Sequence, residues 1–128
     1  MFTKKAIIGA IESGERVQLT HPPEGIRGDT SPSLSADGKT LVFIRYSLPS
    51  QGAIHALEMD TEGTPRGEPY EVLSRPFFVQ GPVVVPNSRD VVFSMWAPLP
   101  GLWRAPLSGQ SPPRRLVGIG VRPEHVAS

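Results

Sequence analysis

Two apolar runs, "LVFI" from Leu41 and "VVF" from Val91, stand fifty residues apart, and each follows the same kind of lead-in. "SPSLSADGKTLVFIR" from Ser31 lies over "GPVVVPNSRDVVFSM" from Gly81, with Pro32 on Pro82, Lys39 on Arg89 and Val42-Phe43 on Val92-Phe93. Downstream the correspondence continues with a two-residue shift, which places "AIHALEMD" (53–60) over "GLWRAPLS" (101–108). Both copies then cross a Gly- and Pro-rich turn into a short closing strand, "YEVLS" from Tyr70 or "RRLVG" from Arg114. The same closing pattern occurs a third time as "RVQLT" at 16–20, and "AIIGAIESGE" ahead of it reads as the strand and turn that should precede it.

Each unit therefore predicts a Pro-led strand, a turn, an apolar strand, a loop, an amphipathic strand, a second turn and a closing strand. Asp37-Gly38 supplies residues that tolerate the positive φ of a tight hairpin, and Asn87-Ser88 does so less well because Ser carries a Cβ penalty. Runs that are apolar on successive residues predict strands buried on both faces, as in a sheet lying between two others. From Ile54 the pattern alternates, with Ile54, Ala56 and Glu58 on one face and His55, Leu57 and Met59 on the other, which predicts a less buried strand nearer an edge. A period of 40 to 50 residues with four strands per unit is the mark of a β-propeller blade, a sheet that buries its faces only against its neighbours.

Composition agrees with short strands and many turns. In 128 residues there are 15 prolines and 13 glycines, spread so that no long helix can run. A hydrophobic fraction of 38% is enough for a core. Thirteen Lys and Arg against twelve Asp and Glu leave a net charge of +1, so no overall field draws in nucleic acid or a membrane surface, and Arg114-Arg115 is too small a cluster to change that. With no cysteine there is no disulfide, thiolate metal site or cysteine nucleophile, and the compartment is left open. The six mostly apolar residues 6–11, behind Lys4 and Lys5, are shorter than a secretory signal core and read as a strand.

"TSPSLSADGKTLVFIR" resembles the Pro-x-(Phe/Trp/Leu)-Ser-Pro-Asp-Gly-Lys-x-(Ile/Leu)-(Ala/Val)-Phe repeat of TolB-like, WD-like β-propellers, and "GLWRAPLSGQSPPRRL" is similar to that repeat's tail. Ala36 stands where the family has Pro, and Asn87-Ser88 replaces Asp-Gly while Pro86 keeps the Pro. The resemblance implies an all-β fold of propeller blades, each of four antiparallel strands, here incomplete and a fragment of a larger propeller. The expected division is the outer strands of a preceding blade in 1–20, a first full blade in 29–74, a second in 79–118, and the start of a further blade or a tail in 121–128.

"GTPRGEPYEVL" from Gly63 is similar in style to propellers attached to bacterial winged-helix regulators. The resemblance thus implies a non-catalytic scaffold for protein interaction or ligand sensing within a larger bacterial protein, in the cytoplasm if that parent is a regulator. The same repeats cap the hydrolase domain of prolyl oligopeptidase-like enzymes, and they form periplasmic TolB-type binding proteins, which would need an upstream signal peptide. An incomplete propeller leaves apolar faces open, each large side chain forfeiting about 1.5 to 3 kcal/mol. Val83, Val84, Val91, Val92, Phe93 and Met95 cannot all be covered from one side, so self-association through open blade faces is expected alongside an unidentified protein partner.

Candidate chemistry is sparse. No Gly-x-Ser-x-Gly nucleophile elbow occurs. His21, His55 and His125 lack ligand spacing. Asp29, Asp37, Asp60 and Asp90 read as turn residues that bond their own backbone. "GIRGD" and "VGIGV" lack the strand, helix and Lys context of a phosphate cradle. Trp96 and Trp103 flank the Pro-rich "APLPG", where a protein-binding rim competes with ordinary strand packing. No catalytic residue, metal ligand or cofactor is assigned from the sequence.

Overall fold

The computed structural model describes residues 6–10, 15–48, 51–75, 79–95 and 100–117. The described chain is all-β, with antiparallel sheets of two to four strands. The N-terminal sheet pairs β1 (Ile8–Ala10) with β2 (Arg16–Gln18). The middle sheet is the meander β3 (Gly28–Leu34), β4 (Thr40–Leu48), β5 (Gln51–Glu58) and β6 (Tyr70–Arg75). The C-terminal sheet repeats it with β7 (Val79–Val84), β8 (Asp90–Met95), β9 (Gly101–Pro106) and β10 (Arg114–Val117).

The correspondence found in the sequence holds at the level of individual hydrogen-bonded partners. Leu41 pairs with Leu57 and Phe43 with His55 in the middle sheet, as Val91 pairs with Ala105 and Phe93 with Trp103 in the C-terminal one. The return to each hairpin matches too: Met59 N–H donates to the Lys39 carbonyl and Leu107 N–H to the Arg89 carbonyl, both at 2.8 Å. The first strand of each sheet breaks register at the same place, between Thr30 and Ser33 and between Gln80 and Val83. At that bulge the chain turns left-handed, at φ 54° on Ser31 and 59° on Gly81, each followed by a proline that needs no ladder hydrogen bond.

The two β-hairpin turns reach a common exit by different routes. Gly38, at φ 74°, carries the left-handed residue of the first, with Asp37 Oδ1 accepting from the Lys39 N–H at 2.9 Å. In the second, Asn87 at φ 59° takes the left-handed conformation one position earlier, so Ser88 escapes the expected Cβ penalty. Ser88 Oγ instead donates to the Val85 carbonyl at 2.8 Å and accepts from the Asp90 N–H at 3.1 Å.

Strand alternation sorts the apolar side chains onto two faces of the middle sheet. Val42, Ile54 and Ala56 share one cluster with Val84, Val91, Phe93 and Met95 of the C-terminal sheet. Leu41, Phe43, Leu57 and Met59 form another with Ile7, against which Leu19 packs. Residues Leu41 to Ile44 are all buried, as a run apolar on successive positions predicts. Two expectations fail. The strand from Ile54 is more buried than expected: β5 lies between β4 and β6, and Ile54, Ala56, Leu57 and Met59 are all buried because the C-terminal sheet covers one face and Ile7 and Leu19 pack on the other. The run at Val91 is buried on one face only, since Val91, Phe93 and Met95 point to the middle sheet while Val92 and Ser94 are half-buried on the far side. Of the six side chains expected to compete for cover, Val83 alone stays exposed, because alternation turns Val84, Val91, Phe93 and Met95 inward.

The bulge predicts opposite responses at equivalent positions. A Cβ on Gly81 meets nothing within 4 Å, so Gly81→Ala should cost only the left-handed backbone penalty, about 1 kcal/mol, whereas Ser31→Gly should relieve a similar strain and raise the urea midpoint. Equilibrium urea melts of the two variants check both signs.

Candidate functional site

The seam between the middle and C-terminal sheets ends in a polar cluster built from both. Arg89, in the β7–β8 turn, donates from Nη1 to Thr40 Oγ1 at 3.1 Å and from Nη2 to Glu58 Oε2 at 3.2 Å and Tyr70 Oη at 3.4 Å. Tyr70 donates its hydroxyl to Glu58 Oε2 at 2.7 Å, and Thr40 donates to Glu58 Oε1 at 3.2 Å. Burial works against the Glu58 charge, but the hydrogen bonds from Tyr70, Arg89 and Thr40 and the Arg89 charge outweigh it and hold the carboxyl below its ordinary range. Burial, and then donation to Glu58, push the Tyr70 hydroxyl up to about 12. The ion pair itself is wet, with side-chain exposures of 63% for Arg89 and 36% for Glu58, so it sets the register of the stack more than it stabilises it.

A second polar feature is buried. On paired strands β3 and β4, Arg45 donates to both carboxylate oxygens of Asp29, Nε to Oδ1 at 2.7 Å and Nη2 to Oδ2 at 3.0 Å. The Asp29 side chain is fully buried. The guanidinium carbon lies 5.4 Å from the centre of the Phe43 ring, which stacks in turn on His55 at 5.8 Å between centroids. Burial lowers the pKa of His55, whose Nδ1 is 3.3 Å from the Ala53 carbonyl oxygen. Arg45 lines a cleft of roughly 350 Å³ together with Thr20, His21, Pro65 and Glu68.

A shallower groove of roughly 300 Å³ runs between the two β-hairpin turns, from Ser35 and Asp37 to Asn87 and Arg89. Asp37 is held below the usual carboxylate range first by the Ser35 hydroxyl, at 2.6 Å, and then by the Lys39 N–H. Each of these charged groups is bonded within the chain. The arrangement fixes the sheets against one another and offers polar edges for recognition.

The structure separates residues that the sequence treated alike. Asp37 and Asp60 are turn residues as expected, Asp60 Oδ1 accepting from the N–H groups of Glu62 and Thr64. Asp29 and Asp90 are not: both lie on strands and pair with arginines, Asp90 with Arg104 Nε at 2.7 Å. His21 stands outside the sheets beside Gln18, whose Nε2 is 3.2 Å from its Nδ1. Trp103 packs against the core shared by the two four-stranded sheets, opposite Phe93, as the strand-packing alternative requires. Trp96, His125 and the segment 121–128 lie outside the described residues. The Arg89 cluster escaped sequence reading, because its members lie on four separate elements whose meeting depends on how the sheets stack. The alignment of Lys39 with Arg89 was its one visible trace.

No protein-family profile matches this chain, and neither a curated protein nor a solved structure is significantly similar to it. The internal repeat sets equivalent positions of the two four-stranded sheets side by side. It is informative at Asp29 and Arg45: the same cross-strand position in the C-terminal sheet holds Val79 and Met95, both fully buried.

Asp29→Val should destabilise by about 3 to 5 kcal/mol by stranding the Arg45 charge, and adding Arg45→Met should recover most of that loss, as a denaturant double-mutant cycle would read. Because the folded-state pKa of Tyr70 is raised, its contribution is complete below the ordinary value of 10 and is lost as pH rises towards about 12; Tyr70→Phe should flatten that alkaline decline without abolishing it, since burial raises Tyr46 as well. The lowered Glu58 works in the opposite sense, its contribution complete above 4.5 and lost as pH falls through the depressed value. Urea midpoints measured across pH test both limbs.

Proposed function

We propose that the two four-stranded sheets are consecutive blades of a β-propeller, with β1 and β2 as the outer strands of a preceding blade, and that the segment is a non-catalytic scaffold. The observation that carries this reading is the shared register: strand for strand, bulge for bulge, the second sheet repeats the first and lies against its face. Leu34, on the first strand of the middle sheet, is 54% exposed beside the N-terminal sheet, which reaches that face through Ile7 and Leu19 near the third strand. Inner strands of a preceding blade would fill that place. The resemblance to TolB-like repeats supports the same architecture and a role in protein interaction or ligand sensing within a larger bacterial protein, such as a winged-helix regulator.

The Arg89 cluster ties the two four-stranded sheets together, the Asp29–Arg45 pair ties β3 to β4, and the sequence carries no nucleophile elbow. The function is one of shape: a rigid stack whose turns and outer faces meet a partner. The test uses the full-length product of the gene, with and without residues 28–117. Loss of partner recovery on deletion, together with no labelling of the intact protein by a fluorophosphonate serine-hydrolase probe, is the expected result. Probe labelling, or partner recovery indifferent to the deletion, would overturn the scaffold reading.

A further inference from the structure

The repeat shows what covers one sheet face and therefore what the equivalent face of the next sheet is suited to receive. In the middle sheet that face carries Val42, Ile54, Ala56 and Val72, clustered with side chains of the C-terminal sheet. Its polar end carries Thr40, Glu58 and Tyr70, which receive the cation of Arg89. Register places Val92, Leu102, Arg104 and Leu116 at the corresponding apolar positions of the C-terminal sheet's outer face, both closing strands being irregular at the same step. Asp90, Pro106 and Arg114 stand where Thr40, Glu58 and Tyr70 do.

Much of this face is apolar and open: Val83 and Leu116 are 50% and 44% exposed, and Val92 and Leu102 are half-buried. Its charge, however, differs from that of the middle sheet. Arg114 is the cross-strand partner of Arg104, so two guanidinium side chains stand side by side. The carboxylate nearby, Asp90, is bonded to Arg104, and among the described residues Arg114 has no ion-pair partner. A turn cation arriving as Arg89 arrives on the middle sheet would find a proline in place of the Glu58 carboxylate and an arginine in place of the Tyr70 hydroxyl. A second copy laid face to face would bring four arginines to two aspartates.

We propose that the outer face of the C-terminal sheet is a docking surface for a partner β-hairpin or sheet that is apolar at its centre and carries a carboxylate, not Lys or Arg, at its turn. The apolar contact supplies area, and the excess arginine selects the partner's charge and rejects a repeat of the basic kind. This inference stands on the stacking of the two sheets and goes beyond the propeller reading, which would accept either charge.

The probes are two fluorescent backbone-cyclised hairpins of residues 79–95, one unaltered and one with Arg89→Glu; Val79 and Met95 are cross-strand partners, so the ends can be joined. Titrated with the full chain at low salt, the acidic hairpin should bind at least about tenfold more tightly than the basic one. The preference should collapse at about 1 M salt, where the Debye length is about 3 Å. It should reverse with Arg114→Glu, and Leu116→Asp should weaken both hairpins; both positions are exposed, so these variants should fold, and the salt titration reads the same claim on the unmodified chain. Equal affinities, no binding, tighter binding of the basic hairpin, or binding indifferent to Leu116→Asp would overturn the proposal. So would a dimer of the unmodified chain that Leu116→Asp dissolves.

Discussion

Neither four-stranded sheet can bury its apolar side chains alone, and the contact between them is the constraint on which the rest of the structure depends. Phe93, Val91 and Met95 reach the middle sheet from one side and Val42, Ile54 and Ala56 reach back from the other, all at or near zero exposure. A single sheet with either set facing water would forfeit about 1.5 to 3 kcal/mol for each large side chain. The stacking also positions Arg89 over Glu58 and Tyr70, so the polar cluster is a consequence of the apolar contact and fixes its register.

Within that frame, equivalent positions have taken different chemical solutions. A buried ion pair, Asp29 with Arg45, occupies the position that Val79 and Met95 fill in the next sheet. His55 paired with Phe43 corresponds to Trp103 paired with Phe93. The middle sheet's ion pair lies beside a cleft at the N-terminal strands, while its apolar counterpart is sealed in the core shared by both four-stranded sheets. Such pairs separate what the backbone repeat requires, which is β pairing and a bulge, from what each neighbourhood permits.

The sequence made the strands and their correspondence legible because hydrophobic runs, a Pro-led strand and an Asx turn recur at a fixed spacing. It misplaced β5 because His55 and Glu58 interrupt the apolar pattern of a central strand; the ring of His55 stacks on Phe43 and Glu58 is consumed in the Arg89 cluster. It overstated the burial of Val92, which alternation places on the face of β8 away from the middle sheet. Asp29 and Asp90 were invisible as ion-pair residues for a further reason: Arg45 and Arg104 become their neighbours only through strand pairing, at sequence separations of 16 and 14.

The central claim is that the sheets fold as one stacked unit. Native-state hydrogen exchange on the Phe93→Ala variant under mild denaturant tests it most directly. Loss of this buried ring should lower the opening free energies of amides in β4 and β8 together, each by about 3 to 5 kcal/mol. A loss confined to β8, with β4 amides unchanged, would contradict the account by showing that the middle sheet holds without its neighbour.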